Sequence, residues 1–185
     1  MRDLLEELQG IEGGLARIAR HIPDMPRREV MLIRLLRLSA EGLGDTLTTL
    51  LSPHDLNESE FRTLMQLFSS PSGSAYPGDL CALVAQMPTN MTRITGVLLK
   101  RKFITRGHAR QDRRRVQLCI TPAGRRFVSA LLPQLFPVVR ASFAALSETQ
   151  RQTLQRLLQQ LVRSIARAGA ESERANTIMR RRARA

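Results

Sequence analysis

Residues 87–121 read MPTNMTRITGVLLKRKFITRGHARQDRRRVQLCIT, and this stretch decides the fold. Between Pro88 and Arg101, Met91, Ile94, Val97 and Leu98 recur at helical spacing, which predicts a helix that turns them inward. Its outward face then carries Thr89, Asn90, Thr92, Arg93, Gly96 and Lys100. Phe103 to Arg106 reads as a short strand. In residues 115–120, Val116, Leu118 and Ile120 alternate with Gln117 and Cys119, the period of a half-buried partner strand. The polar segment GHARQDRR joins the two as a hairpin loop, so the economical interpretation is a helix followed by a two-stranded wing. From Met91 to Arg126 there are eleven basic residues and one acidic residue, Asp112. A phosphate-facing surface requires such a balance, because each Lys or Arg at a phosphate releases condensed counterions. The competing reading, a cationic face that only maintains solubility, does not explain why the charges fall where a reading helix and a wing need them.

Working outward from there, the whole chain has 185 residues and a formal net charge of +13, with a sequence pI of about 11.6. Such a balance favours a polyanionic partner. Residues 1–60 nevertheless hold eleven acidic against seven basic side chains, so the basic character begins later. Apart from Lys100 and Lys102, every basic residue is arginine, whose planar fork suits phosphates and guanine edges. Aromatics are scarce and Trp is absent, which argues against a stacking platform for single strands.

Upstream, Pro77 to Val84 reads as a short helix burying Leu80, Leu83 and Val84. With the Pro88 helix it forms a helix-turn-helix. The segment SSPSGSAYPG (69–78) is a loop by composition. Before it, Asn57 and Glu60 make a capping box opening a helix with Phe61, Leu64, Met65 and Phe68 on one face. Residues 28–51 form a long helix that Ser52-Pro53-His54 ends. Residues 3–22, with Leu4, Leu8, Ile11, Leu15, Ile18 and Ile22, form an amphipathic helix that needs a partner surface.

Downstream, Thr121-Pro122 opens a helix that Pro133 and Pro137 are expected to bend or interrupt. Ser147 and Gln150 form another capping box. The helix they open carries Leu154, Leu157 or Leu158, Leu161 and Ile165 as a seam for another helix, with Gly169 as its C-cap. The fold class is therefore mainly α with a small β-hairpin, a winged helix-turn-helix flanked by long N- and C-terminal dimerisation helices. Its expected segments are 1–56 for dimerisation and a pocket, 57–121 for DNA binding, 122–169 for dimerisation, and 170–185 as a basic, disordered tail.

Other chemistry is weakly signalled. The acidic start lacks a signal-peptide pattern, no apolar run approaches a membrane span, and a cytoplasmic, nucleoid-associated protein is expected. Cys81 and Cys119 lack metal-ligand spacing, the three histidines are scattered, and no nucleophile elbow or glycine-rich phosphate loop occurs. No cofactor, metal or enzymatic activity is implied. Asn90, Thr92 and Arg93 are candidates for base-edge contacts, with phosphate contact the alternative for Thr92 and Arg93.

The residues DLCALVAQMPTNMTRITGVLLKRKFITR and QDRRRVQLCITPAGRR, with Asp112-Arg113-Arg114 and Thr121-Pro122-Ala123-Gly124 as their most specific part, resemble the MarR family of bacterial transcriptional regulators. Within it, Thr89-Asn90-x-Thr92-Arg93-Ile94 and Leu132-Pro133 look most like the EmrR (MprA) type, repressors of multidrug-efflux operons. The resemblance implies a homodimer on a pseudo-palindromic operator in double-stranded DNA, released when a small aromatic or lipophilic effector binds. The DNA-contacting candidates on the outward helix face and the wing are Thr89, Asn90, Thr92, Arg93, Lys100, Arg110, Asp112, Arg113, Arg114 and Arg115, and the resemblance gives two of them specific roles. Arg114 would enter the minor groove and Asp112 would hold the wing. It also implies a pocket where the long first helix, the Phe61–Phe68 helix and the Thr121 helix approach the wing base, with Arg106 as its cation; a structural salt bridge is the alternative for Arg106. Three positions depart from the family pattern. Met87 replaces the usual Ser N-cap, Lys102 a glycine before the first wing strand, and Ala85 the glycine of the helix-turn-helix. Rivals to the ligand-released repressor are a redox or metal sensor on the same scaffold, an effector-independent architectural DNA-binding protein, and a helical module for acidic partners.

Overall fold

The computed structural model describes residues 3–108 and 116–182. Its elements are α1 (Leu4–His21), α2 (Arg27–Leu51), a 3-10 turn (Ser52–His54), α3 (Glu58–Ser69), β1 (Ser74–Ala75), α4 (Pro77–Leu83), α5 (Pro88–Lys100), β2 (Ile104–His108), β3 (Val116–Ile120), α6 (Pro122–Ser142) and α7 (Glu148–Arg182). The chain divides into two compact units, residues 1–136 and 137–185.

Unit one has a single apolar core. Leu51, Leu64, Leu67, Leu80, Val84, Met91, Ile94, Leu98, Ile104, Leu118, Val128 and Leu131 are its largest fully buried members. This core crosses the segment boundaries at 56 and 121, because the end of α2 and the first turns of α6 close over the helix-turn-helix. The partner that α1 needs is α2 of its own chain, with Leu15 buried between them and Leu4 seated over Gly42. Leu83 is 55% exposed, however, and not in the core as its spacing suggests. As the last residue of the seven-residue α4, it has no following turn to face.

The sheet has three antiparallel strands in the order β1-β3-β2, where sequence reading expects a two-stranded wing and a plain loop over 69–78. Ser74 pairs with Cys119 and Ala75 with Leu118, and Gln117 Nε2 donates to Ser74 Oγ at 2.8 Å. Across the other edge the register runs from Ile104↔Ile120 to His108↔Val116, so β2 begins one residue later and ends two residues later than the expected Phe103–Arg106. Glycine at 124 is a packing requirement at the start of α6: a Cβ there would lie 2.3 Å from the Phe103 carbonyl oxygen. Thr121 secures the same corner, since its N–H and its Oγ1 both donate to that oxygen while Oγ1 accepts from Gly124 N–H.

Three turns share one geometry. Asp55, Ala85 and Lys102 have φ of 50°, 52° and 59°, the left-handed region. Ala85 N–H donates to Ala82 O and Gln86 N–H to Cys81 O; Lys102 N–H donates to Leu99 O and Phe103 N–H to Leu98 O. Asp55 and Leu56 repeat the pattern on Ser52 and Leu51. These are Schellman motifs, usually built on glycine. Lys102 thus takes the left-handed option its replacement of glycine suggested, and Ala85 does the same.

Helix α6 runs through both Pro133 and Pro137 without interruption. In unit two, the Ser147–Gln150 capping box forms as expected, with Ser147 N–H donating to Gln150 Oε1 at 2.8 Å and Gln150 N–H to Ser147 Oγ at 3.3 Å. Helix α7 continues past Gly169, the expected C-cap, to Arg182, where the sequence reading has a disordered tail. One glycine lowers helix stability by about 1 kcal/mol relative to alanine, and the Ala-, Glu- and Arg-rich residues around it favour helix. Along α7, Leu157, Leu158, Leu161, Val162 and Ile165 remain 37–65% exposed.

Candidate nucleic-acid interface

The helix-turn-helix fixes α5 by its buried face. Met91, Ile94, Thr95 and Leu98 are at most 3% exposed, which leaves the opposite face of the same helix to solvent. Thr89, Thr92, Arg93, Gly96 and Lys100 lie on that outer face, as their spacing predicts, while Asn90 is half-buried. At the N-terminus, Met87 supplies no side-chain cap, so first-turn N–H groups of α5 lack the usual intrachain acceptor. Thr92 Oγ1 is turned back onto Pro88 O at 3.1 Å, and Thr95 Oγ1 onto Thr92 O at 3.1 Å.

Two of the expected readers are not free. Arg93 Nη1 donates to Glu60 Oε1 at 3.1 Å, and Arg93 Nε donates to Asn90 Oδ1 at 3.1 Å. Asn90 Nδ2 donates in turn to Gln86 Oε1, and Gln86 Nε2 to Ser59 Oγ at 3.2 Å. Glu60 is 4% exposed, and its other oxygen closes the capping box by accepting from Asn57 N–H. A buried carboxylate needs a partner charge, and Arg93 is that charge. Sequence reading gave Glu60 only its capping role and missed Gln86 and Ser59, since no local spacing announces a pair 33 residues apart.

At the other end of α5, Arg101 Nη1 donates to His54 O at 2.6 Å and Asp55 O at 3.0 Å, and its guanidinium lies 4.7 Å from the Phe103 ring centroid. It is committed to the fold. Lys100, Lys102, Arg106, Arg125 and Arg126 are exposed. Arg110, Asp112, Arg113, Arg114 and Arg115 lie outside the described residues.

Arg106 is placed differently from its expected position. It lines a groove of about 440 Å³ with Pro77, Cys81, Pro88, Thr92 and Val116, between α4, the start of α5 and the sheet. No residue of α2, α3 or α6 lines that groove. The groove is cationic at one point and mostly apolar elsewhere, and it shares Thr92 with the outer face of α5. Among the described residues no group of three His, Cys, Asp or Glu side chains could hold a metal ion, and no helix is long and apolar enough to cross a membrane.

No protein-family model matches the chain. The Escherichia coli K12 protein named transcriptional repressor MprA is 31% identical over 146 residues, covering 79% of this chain and 82% of that one. Among solved structures, Sco3205 of Streptomyces coelicolor, a MarR family transcriptional regulator in complex with DNA, superposes with a TM-score of 0.66 at 18% identity, over 75% of this chain and 88% of that one. BpsR of Bordetella bronchiseptica, whose DNA binding is regulated by 6-hydroxynicotinic acid, superposes with a TM-score of 0.61 at 22% identity, over 69% and 90%.

Proposed function

The chain belongs to the MarR family of transcriptional regulators, and from that premise we propose that it is a homodimeric repressor whose operator complex a small ligand dissolves. It is a DNA-binding regulator and not an enzyme. The observation that carries the reading is α5, clamped through one face into the core while its polar and basic face stays in solvent beside the sheet. Thr89, Thr92, Arg93 and Lys100 would meet the major groove, with Asn90 either reading a base or supporting its neighbours. Arg110, Arg113, Arg114 and Arg115 would reach phosphates or the flanking minor groove, and Asp112 would hold the wing. Work on operator DNA implies a cytoplasmic protein.

Dimerisation is supported by the apolar side chains that α1 and α7 leave in water, among them Leu5 at 72% and Val162 at 65% exposed. Two-fold symmetry would set the two reading helices about 34 Å apart, one turn of the duplex. The effector reading rests on the Arg106 groove, whose volume falls within the range of about 300–1,000 Å³ usual for small-molecule sites. A single guanidinium above an apolar floor suits an aromatic acid. Because Thr92 belongs to both the groove and the reading face, an occupant there would bear directly on DNA contact.

The test is selection of a duplex from a random library by the full chain, followed by binding at two salt concentrations. Arg114→Ala should weaken all sequences and flatten the salt dependence. Small aromatic acids should release the selected duplex from the wild type but not from Arg106→Ala. If diverse aromatic acids and lipophilic phenols leave affinity unchanged while an oxidant or a metal abolishes it, the effector assignment is wrong.

A further inference from the structure

A chain of hydrogen bonds between the start of α3 and the outer face of α5 joins five side chains in the order Ser59, Gln86, Asn90, Arg93 and Glu60. Both ends of the Asn90 amide are occupied, Oδ1 by Arg93 Nε and Nδ2 by Gln86 Oε1. A free asparagine could offer a paired donor and acceptor to adenine, but this one is already engaged at both atoms. Arg93 is bound along one edge only, through Nε and Nη1, and its side chain is still 53% exposed. Its Nη2 group has no partner among the described residues, and that edge is what a guanine or a phosphate can take.

Glu60 is suited to hold such an arrangement. It sits on the first turn of α3, is 4% exposed, and is fixed through Oε2 to the backbone at Asn57, so its Oε1 is a rigid acceptor. Arginine has several rotatable bonds, and ordering them on binding DNA would reduce affinity. A rotamer already held by a buried carboxylate and a bridging amide avoids that loss. We propose that Glu60, with Gln86, is a positioning residue for DNA recognition: it pre-organises Arg93 as the base reader of α5 and makes Asn90 a strut. The inference rests on the DNA-binding reading above and adds the mechanism by which its reading helix gains selectivity.

Glu60→Gln tests it, since glutamine also serves at this position of a capping box and keeps an acceptor near Arg93 without the charge. The full-length wild type first selects a duplex from a random library, and affinity is then measured for that duplex and for a random one of equal length. Glu60→Gln should lose about three- to tenfold on the selected duplex, the range for freeing one side chain. On random DNA it should show no loss, with thermal stability nearly unchanged. In an Arg93→Ala background the same change should leave the selected-to-random ratio where it was. A purely structural Glu60 would instead lower stability and reduce both affinities together. Gln86→Ala, which leaves the capping box intact, should reproduce the loss of selectivity and serves if Glu60→Gln unfolds. Equal losses on both duplexes, a gain on the selected duplex, or an undiminished effect without Arg93 would each overturn the proposal alone. Failure of the wild type to enrich any duplex would overturn the DNA-binding reading and this inference with it.

Discussion

The backbone of Gly124 lies against the carbonyl of Phe103 so closely that a methyl group there would come within 2.3 Å of the oxygen. That carbonyl also accepts from Thr121 N–H at 2.9 Å and Thr121 Oγ1 at 3.1 Å, so it cannot retreat without breaking the corner that joins β3 to α6. Gly124→Ala should therefore destabilise unit one by about 1–3 kcal/mol, the range for overpacking a tight interior. The control is Gly96→Ala on the open face of α5, where a Cβ meets nothing within 4 Å. It should stabilise the helix by up to about 1 kcal/mol. Thermal unfolding of the two variants should move in opposite directions; a common direction would refute the packing account.

Ala85 and Lys102 hold left-handed φ values of 52° and 59° at the C-terminal ends of α4 and α5. Side chains with a Cβ are strained there, by about 1–2 kcal/mol. Replacing either by glycine should stabilise the protein by about 0.5–1 kcal/mol, the strain relief being partly offset by the freer unfolded chain. The two sites share no hydrogen bond, so the gains should add. Denaturant titration of both single variants and the double variant checks this, and a loss at either site would mean that its side chain contributes packing not evident in the turn itself.

Arg101 ties the α5–β2 turn to the turn after α2 through the His54 and Asp55 carbonyls while stacking on Phe103. Arg101→Ala should lower stability by about 1.5–3 kcal/mol, the value of hydrogen bonds made by a charged donor. Lysine should restore little, because it lacks the planar group that stacks and bonds at once. In contrast, Lys100→Ala, one residue away and exposed, should leave unfolding unchanged and reduce the slope of log affinity against log salt by about 0.9, for selected and random duplex alike. If instead Lys100→Ala affects only the selected duplex, Lys100 belongs with the base readers.

Leu158 and Leu161 stand on the exposed apolar face of α7 at 37% and 40% exposure, and Phe143, Leu154, Leu158 and Val162 line a groove of about 620 Å³ along it. If a second copy covers this face, Leu158→Glu with Leu161→Glu should convert a dimer to a monomer at micromolar concentration. Light scattering decides the matter. A wild type that is already monomeric, or a variant that remains dimeric, would remove α7 from the interface.

Much of this architecture is legible in the sequence because its signals are local. The Asn57–Glu60 and Ser147–Gln150 capping boxes close within three residues, and α5 and β3 announce their inner faces by periods of 3.6 and 2. The left-handed end at Lys102 is legible only beside the family pattern, which the chain resembles and which has a glycine there. The rest is decided by which elements touch. Two residues, Ser74 and Ala75, are too few to show alternation, and they become a strand only because β3 lies beside them. Leu83 carries an apolar spacing but stays more than half exposed, whereas Arg106 acquires a groove from α4 and α5 that its own strand does not encode. Arg93 shows the division most sharply. Its place on the outer face follows from helical spacing, yet its salt bridge to Glu60 exists only because packing Leu64 and Ile94 into one core brings α3 against α5. Sequence fixes such side chains through hydrogen bonds and periodicities a few residues long; a buried charge finds its partner only when the core has closed around it.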